Sequence, residues 1–478
     1  MSALQMIGGK NLSAVIRTRM MVSLVFLMIA ASSAMAEGVN DLRGVGVCNI
    51  SKDAWPLATS LGARWWRTPP IIWGNVEPRR GQITFERLDK IMLQTQEVHL
   101  IPVVPLVCSS NWGAPPPPGY ISKSAEPTAE RQSSGFPRSR FPVDINAWQR
   151  FVREVVERYD DDGENDMPGL TMPVRFWQPV REIPSEWDDT PFRLVDFLQI
   201  TSSAIKEADP RAVVIAPGIE SRSLAMLAYA DGELRPEDRP LGYDAPREGV
   251  RKMAEFEDTR RCVEVLLESG KDFYQALDVH LYGQDVLIAG KMRWLKNLMR
   301  RSSCDKPIIS LEAGGPIGGA EGGYTDAVNA EQTVKILCSA LHAGVVGIAF
   351  PLSPNFPGAR PEYQMLSLLD ARENAKPAYF SLKMLIRFIQ NWESVNPVVT
   401  KKENLGFVFA SPQSAVYVLW SDEARSLRLP LPSGNFHVYS IITQPGQTEP
   451  ERSVFSTTVA RKFKLTATPV VLVELARA

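Results

Sequence analysis

Leu100-Ile101-Pro102-Val103-Val104-Pro105-Leu106-Val107-Cys108 runs nine residues without a charged side chain, and its reading decides the fold. A stretch that is apolar on both faces is what a parallel strand covered on two sides requires; a half-exposed strand would alternate. Seven further runs of this kind, rich in Val, Ile and Leu, stand at 45–48, 63–67, 174–180, 212–217, 276–282, 307–313 and 345–351. Amphipathic stretches lie between them. In residues 145–158 the apolar side chains of Trp148, Phe151, Val152, Val155 and Val156 recur at three- and four-residue steps, and 190–208 and 330–343 are also helical in pattern. Eight strand-then-helix units over roughly 350 residues predict an α/β fold of the closed (β/α)8 kind, with long loops. No G-x-G-x-x-G follows the first run, which argues against a dinucleotide fold.

Past residue 405 the pattern changes to short alternating runs at 406–410, 415–420, 426–430, 436–441, 453–459 and 462–475, separated by turn residues such as Pro432-Ser433-Gly434-Asn435. This predicts a small antiparallel β-sandwich. Two segments interrupt the barrel pattern: 113–142, with the proline run 115–118, and the charged stretch 221–258. Both follow strand ends, where barrel enzymes build binding clefts.

At the N-terminus Lys10, Arg17 and Arg19 precede an apolar run at 20–31, and Ala34-Met35-Ala36 offers small residues for cleavage before Glu37. That is the pattern of a secretory signal peptide; the run is too short for a bilayer span of roughly 20 residues. The expected organisation is a signal peptide over 1–36, a barrel over 37–395 and a β-sandwich over 396–478, in a secreted or periplasmic protein. The 478 residues are 44% hydrophobic and 22% charged, and 53 Lys and Arg against 54 Asp and Glu leave a net charge of −1. No basic field exists to hold nucleic acid or an anionic membrane, so neither is expected as a partner, and no stable membrane span is expected. Oligomeric state is not legible. The five cysteines show no C-x-x-C pairing, and the four histidines form no H-x-H or H-E-x-x-H spacing, so no metal and no cofactor are expected. The odd cysteine count leaves at least one free thiol even if one pair oxidises.

In a barrel the C-terminal strand ends converge on one open face. Two inferred strands end there with a glutamate: Phe176-Trp177-Gln178-Pro179-Val180-Arg181-Glu182 on the fourth and Ile308-Ile309-Ser310-Leu311-Glu312 on the seventh. Two facing carboxyls are what glycosidic cleavage needs, one to protonate the departing oxygen and one to support the oxocarbenium-like centre.

These stretches resemble clan A glycoside hydrolases, family 39 above all, a family of β-xylosidases and exopolysaccharide-cleaving endoglycosidases. The likeness runs over about residues 41–393 and into the C-terminal sandwich. It includes Arg64-Trp65-Trp66-Arg67, Trp73-Gly74-Asn75-Val76-Glu77-Pro78, Gly81 to Asp89, Asp278-Val279-His280-Leu281-Tyr282, and Leu368-Leu369-Asp370 with Lys376-Pro377-Ala378-Tyr379. The resemblance implies a retaining O-glycosidase on a carbohydrate substrate, with Glu182 as acid/base and Glu312 as nucleophile. It further implies that Arg67 holds Glu312 ionised, that Tyr282 donates to it, that His280 lines the floor, and that Trp112 offers a stacking face. Arg181 stands where the clan usually has Asn, which would suit a carboxylated or sulfated sugar, and Phe350 stands where Trp is common. Two other readings share the cleft: a carbohydrate-binding pseudoenzyme that lost its acid, and a transglycosylase acting on an exported polymer.

Overall fold

The computed structural model describes residues 38–116, 136–240, 245–315, 324–355, 361–400, 403–412, 414–458 and 462–474. Residues 38–40 form a helical turn, and the chain from Leu42 onward is one compact unit. The expected signal peptide lies outside the described residues, as does the part of the first interrupting segment at 117–135.

Eight parallel strands are present: β1 (Gly44–Cys48), β2 (Trp65–Arg67), β3 (Ile101–Val107), β4 (Phe176–Pro179), β5 (Val213–Val214), β6 (Leu277–Asp278), β7 (Ile308–Ser310) and β8 (Val345–Pro351). They pair in the order β5-β4-β3-β2-β1-β8-β7-β6. A parallel bridge between Ile215 and Ala276 joins the two ends, so the barrel is closed. One helix of the outer ring follows each strand: α1 (Trp55–Leu61), α2 (Glu86–Glu97), α3 (Ile145–Glu157), α4 (Pro191–Ala208), α5 (Ala254–Glu268), α6 (Ile288–Arg301), α7 (Asp326–His342) and α8 (Pro377–Phe388). Local chemistry sets several starts. Asp144 accepts from the Ala147 amide (3.0 Å) and Thr325 from the Val328 amide (3.3 Å), satisfying orphan donors of α3 and α7, while Pro191 and Pro377 open α4 and α8.

The two-residue period of β2 explains how the barrel fills and how it opens. Trp66 points outward and meets Trp55 of α1 edge-on at 4.8 Å. Trp65 takes the opposite face and lies across β1, where a Cβ on Gly46 would sit 2.3 Å from its ring; only glycine leaves room for that indole. Arg67, two residues on, shares the face of Trp65 and reaches the mouth.

Two runs expected as single strands are split. Leu281–Tyr282 pairs with Ala313–Gly314 beyond β6 and β7, and Glu182–Ile183 pairs with Gly218–Ile219 beyond β4 and β5. These pairs extend the staves past the barrel proper. The stretch 221–258 is not simply a charged insertion. It opens with the buried helix Ser221–Ala230, because Arg222 is the one charge among its first ten residues, which are mostly apolar, and the other charges lie beyond residue 230.

The C-terminal strands are β9 (Ser394–Val399), β10 (Asn404–Ala410), β11 (Ala415–Leu419), β12 (Arg425–Leu427), β13 (Asn435–Ser440), β14 (Arg452–Ser456), β15 (Phe463–Leu465) and β16 (Val470–Glu474). Six of them form an antiparallel sheet, and β12 pairs with β15 as a ribbon. Alternation divides the sheet's faces. Val416 and Val418 join the barrel's core, while Tyr417 and Leu419 pack with Leu465 of the ribbon. Ser381 of α8 ties the two layers by exchanging hydrogen bonds with Ile442, both 2.8 Å. All five cysteines are free thiols and buried. Among the described residues no helix is long and apolar enough to cross a membrane.

Candidate active site

The mouth of the barrel holds a buried polar network built from single side chains on or just past β2, β4, β6 and β7. Arg67, 3% exposed, donates to Glu312 Oε1 through one amino group. Its other amino group donates to Gln178 Oε1 (2.7 Å) and the Arg181 carbonyl (2.9 Å). Gln178, on β4, passes its amide to the Ala216 carbonyl (3.0 Å) and Asp278 Oδ2 (2.8 Å). Asp278, on β6, accepts from the Leu311 amide at 2.9 Å and so fixes the chain just before Glu312.

Two glutamates face each other over this floor. His280 stands between them: its Nδ1 is 2.5 Å from Glu182 Oε1 and 3.9 Å from Glu312 Oε2. Those two legs put the facing oxygens no more than about 6.5 Å apart, a ceiling that admits the roughly 5–5.5 Å of a retaining pair. Ser185 donates to Glu182 Oε2 (2.7 Å), and Tyr282 donates to Glu312 Oε2 (3.2 Å). The chain reaches Glu182 through Val180, whose φ of 73° is unusual for a β-branched residue and turns the stave out of β4.

The charges sort themselves by environment. Burial alone would raise the Glu312 carboxyl, but His280, Arg67 and Arg181 overcome it and bring it from 4.5 down to about 2. Burial likewise disfavours the His280 cation, yet Glu182, Glu312 and Asp278 lift it from 6.5 to about 10. Asp278 reaches it through Oδ2, 3.3 Å from Nε2. This approach depends on Gly218, where a Cβ would lie 2.5 Å from His280 Nε2 and 2.7 Å from Asp278 Oδ2.

Arg181 does not stand open toward a substrate anion, as its place in the motif suggested. It donates to Glu186 Oε1 (3.0 Å) and Glu312 Oε1 (2.9 Å), and its guanidinium lies 4.6 Å from the Phe136 ring centre. Arg67, Arg181, Glu182, His280, Tyr282 and Glu312 are thus brought together. Trp112 and Phe350 make contacts with neighbours of their own. The Trp112 indole donates to the Glu77 carbonyl (3.0 Å), meets Trp73 edge-on at 4.9 Å, and has Arg80 5.3 Å over its ring. Phe350 is buried in the wall on β8 opposite Val47.

Four members were not singled out from sequence. Gln178 and Asp278 are lone polar residues inside apolar strands, a signal in itself, because a buried polar group must find partners. Glu220 ends the fifth stave as Glu182 ends the fourth; burial, then the Glu182 charge, raise its carboxyl to about 7. Glu186 is buried against Arg181. The quoted Trp73-to-Gly81 stretch has a structural role instead. Glu77 accepts from the Trp73 indole (2.7 Å) and the Gly81 amide (2.6 Å), pairs with Arg150, and is wholly buried.

No protein-family model and no curated protein matches the sequence. Solved structures match its fold. A family 39 glycoside hydrolase from the gut symbiont Bacteroides cellulosilyticus WH2 is 15% identical, with a TM-score of 0.62 over 91% of this chain and 82% of that one. A monomeric β-xylosidase from Caulobacter crescentus CB15 is 13% identical, with a TM-score of 0.57 over 91% and 97%. A family 30 endoxylanase from Clostridium papyrosolvens C71 is 13% identical, with a TM-score of 0.52 over 91% and 97%. Over nine-tenths of its length, this chain therefore has the fold of family 39 and family 30 glycoside hydrolases.

Proposed function

We propose that this protein is a retaining O-glycoside hydrolase, exported by its N-terminal segment, that cleaves a poly- or oligosaccharide outside the cytoplasm. The observation that carries the reading is the meeting of Glu182 and Glu312 on either side of His280, with one carboxyl held firmly ionised. In the first step a Glu312 oxygen bonds to the anomeric carbon as the glycosidic C–O bond breaks, and Glu182 gives its proton to the departing oxygen. In the second, Glu182 takes a proton from water, whose oxygen displaces Glu312 and restores the original anomeric configuration.

The surrounding groups suit these roles. Glu312 Oε1 carries two guanidinium contacts, so Oε2, on the His280 side, is the attacking atom in this reading. Glu182 and His280 share a proton across their 2.5 Å contact, which is the proton that Glu182 passes to the departing oxygen in this reading, and Ser185 holds the second Glu182 oxygen in place. The Arg181 substitution favours the enzyme over a pseudoenzyme, because the guanidinium is directed at Glu312 and Glu186, where it supports the nucleophile. The β-xylosidase among the fold relatives makes pentosides a sensible first panel. Turnover of dinitrophenyl glycosides by the wild type, abolished in Glu312→Gln, is the expected result. A wild type silent across pentosides, hexosides and bacterial exopolysaccharides, or a Glu312→Gln variant as active as wild type, would overturn the proposal.

A further inference from the structure

The loop between α3 and β4, at the barrel end opposite the glutamates, reads Asp160-Asp161-Asp162-Gly163-Glu164-Asn165-Asp166. Carboxylate oxygens of Asp160, Asp162 and Asp166 lie within 4.8 Å of one another. Asp166 is oriented by the Asp161 and Gly163 amides (3.0 and 2.8 Å), and Asp162 by the Glu164 amide (2.9 Å). Asp160 is different. It is 1% exposed, and its Oδ1 is buried with no hydrogen-bond partner among the described residues. Its strongest charged neighbours are Asp162, Glu157, Asp209 and Asp166, all acidic. A buried carboxylate aimed into a group of like charges, without a donor, lacks the compensation that such groups ordinarily have.

We propose that this loop binds one calcium ion through Asp160, Asp162 and Asp166. Every side chain offered is a hard oxygen donor, with no His or Cys, which selects calcium or magnesium over transition metals. Size then separates the two. Calcium ligands stand roughly 2.3–2.6 Å from the ion, so opposite ligands span up to about 5 Å, and the 4.8 Å group fits. Magnesium, at roughly 2.0–2.1 Å, would require the oxygens to close in. Asp162 is exposed, which leaves a route for the ion and for completing waters. Backbone bonds from Met167 to the Arg158 carbonyl (2.8 Å) and from Val174 to the Tyr159 carbonyl (2.7 Å) bracket the loop. The ion therefore fastens the end of α3 to the approach to β4, the strand that carries Gln178.

The test is isothermal titration of the chelator-stripped full-length protein with calcium chloride, repeated with magnesium and with Asp160→Asn and Asp166→Asn. One calcium per chain is expected in the wild type, at least tenfold tighter than magnesium, and absent from both variants. Melting should rise by about 3 °C or more at a hundredfold excess over Kd. Metal-free Asp160→Asn should melt no lower than the metal-free wild type, since the substitution removes an uncompensated buried charge. No saturable binding to the wild type overturns the proposal even if a variant fails to fold. Binding that survives both substitutions overturns it equally.

Discussion

Replacing Arg67 by Met removes one of the three cations that hold Glu312 ionised, and the consequence can be sized. The carboxyl stands at about 2 rather than 4.5 despite its burial. At about 1.4 kcal/mol per pH unit, the folded state favours the carboxylate by about 3 kcal/mol. That stability is fully present above pH 4.5 and is lost as pH falls through 2, because the unfolded chain takes up its proton first. Without Arg67, burial meets less opposition and the carboxyl should rise by on the order of 1–3 pH units. Urea unfolding at pH 7 should then find the variant about 3 kcal/mol less stable, as expected when one partner of a buried pair is lost. At pH 3 the difference should shrink by about 1–2 kcal/mol, since more than half of the wild-type advantage is already titrated away. The acid limb of kcat/KM on a dinitrophenyl glycoside should move to higher pH by the same 1–3 units. An equal stability difference at pH 3 and pH 7, with an unmoved acid limb, would refute the role assigned to Arg67.

His280, lifted to about 10 by its carboxylates, should remain cationic across the neutral range, stabilising fully below 6.5 and losing that contribution as pH rises through 10. Its ring proton resonance, assigned by comparison with His280→Gln, should not titrate between pH 5 and 8; a midpoint near 6.5 contradicts the geometry. Gly218→Ala should displace His280 and Asp278, costing about 1–3 kcal/mol of stability and at least tenfold in kcat, and an unchanged melting temperature with wild-type kcat would refute the packing. Glu182→Ala should lower kcat/KM on unactivated glycosides by roughly 10²–10⁴-fold while leaving the first step on dinitrophenyl glycosides little changed. Equal losses on both substrates would deny it the acid role.

The barrel was readable because its strands are covered on both faces. A run such as 100–108 has no solvent side on which to place charge, and eight such runs with helices between admit few folds. The two glutamates stood out in the sequence because each follows a largely apolar run at an inferred strand end. Gln178 and Asp278 were harder to recognise, since a single polar residue within a strand does not announce whether it meets solvent or a partner from another stave. Trp112 carried the same ambiguity: an indole after a strand end suits a sugar or a neighbour, and here it touches Trp73, Glu77 and Arg80 while staying half-buried. In the C-terminal sheet the run 462–475 proved to be two strands, since Thr466-Ala467-Thr468-Pro469 breaks the pairing and sends β15 to the ribbon and β16 to the main sheet. In the acidic loop 160–166 the residue pattern does not set Asp160 apart from its neighbours, and only its burial distinguishes it.

Covalent trapping tests the central claim most directly. Incubation with activated 2-fluoro glycosides, followed by peptide mass spectrometry, should place one sugar on Glu312. A label on any other residue, or turnover that releases the inverted anomer with no label, would contradict it.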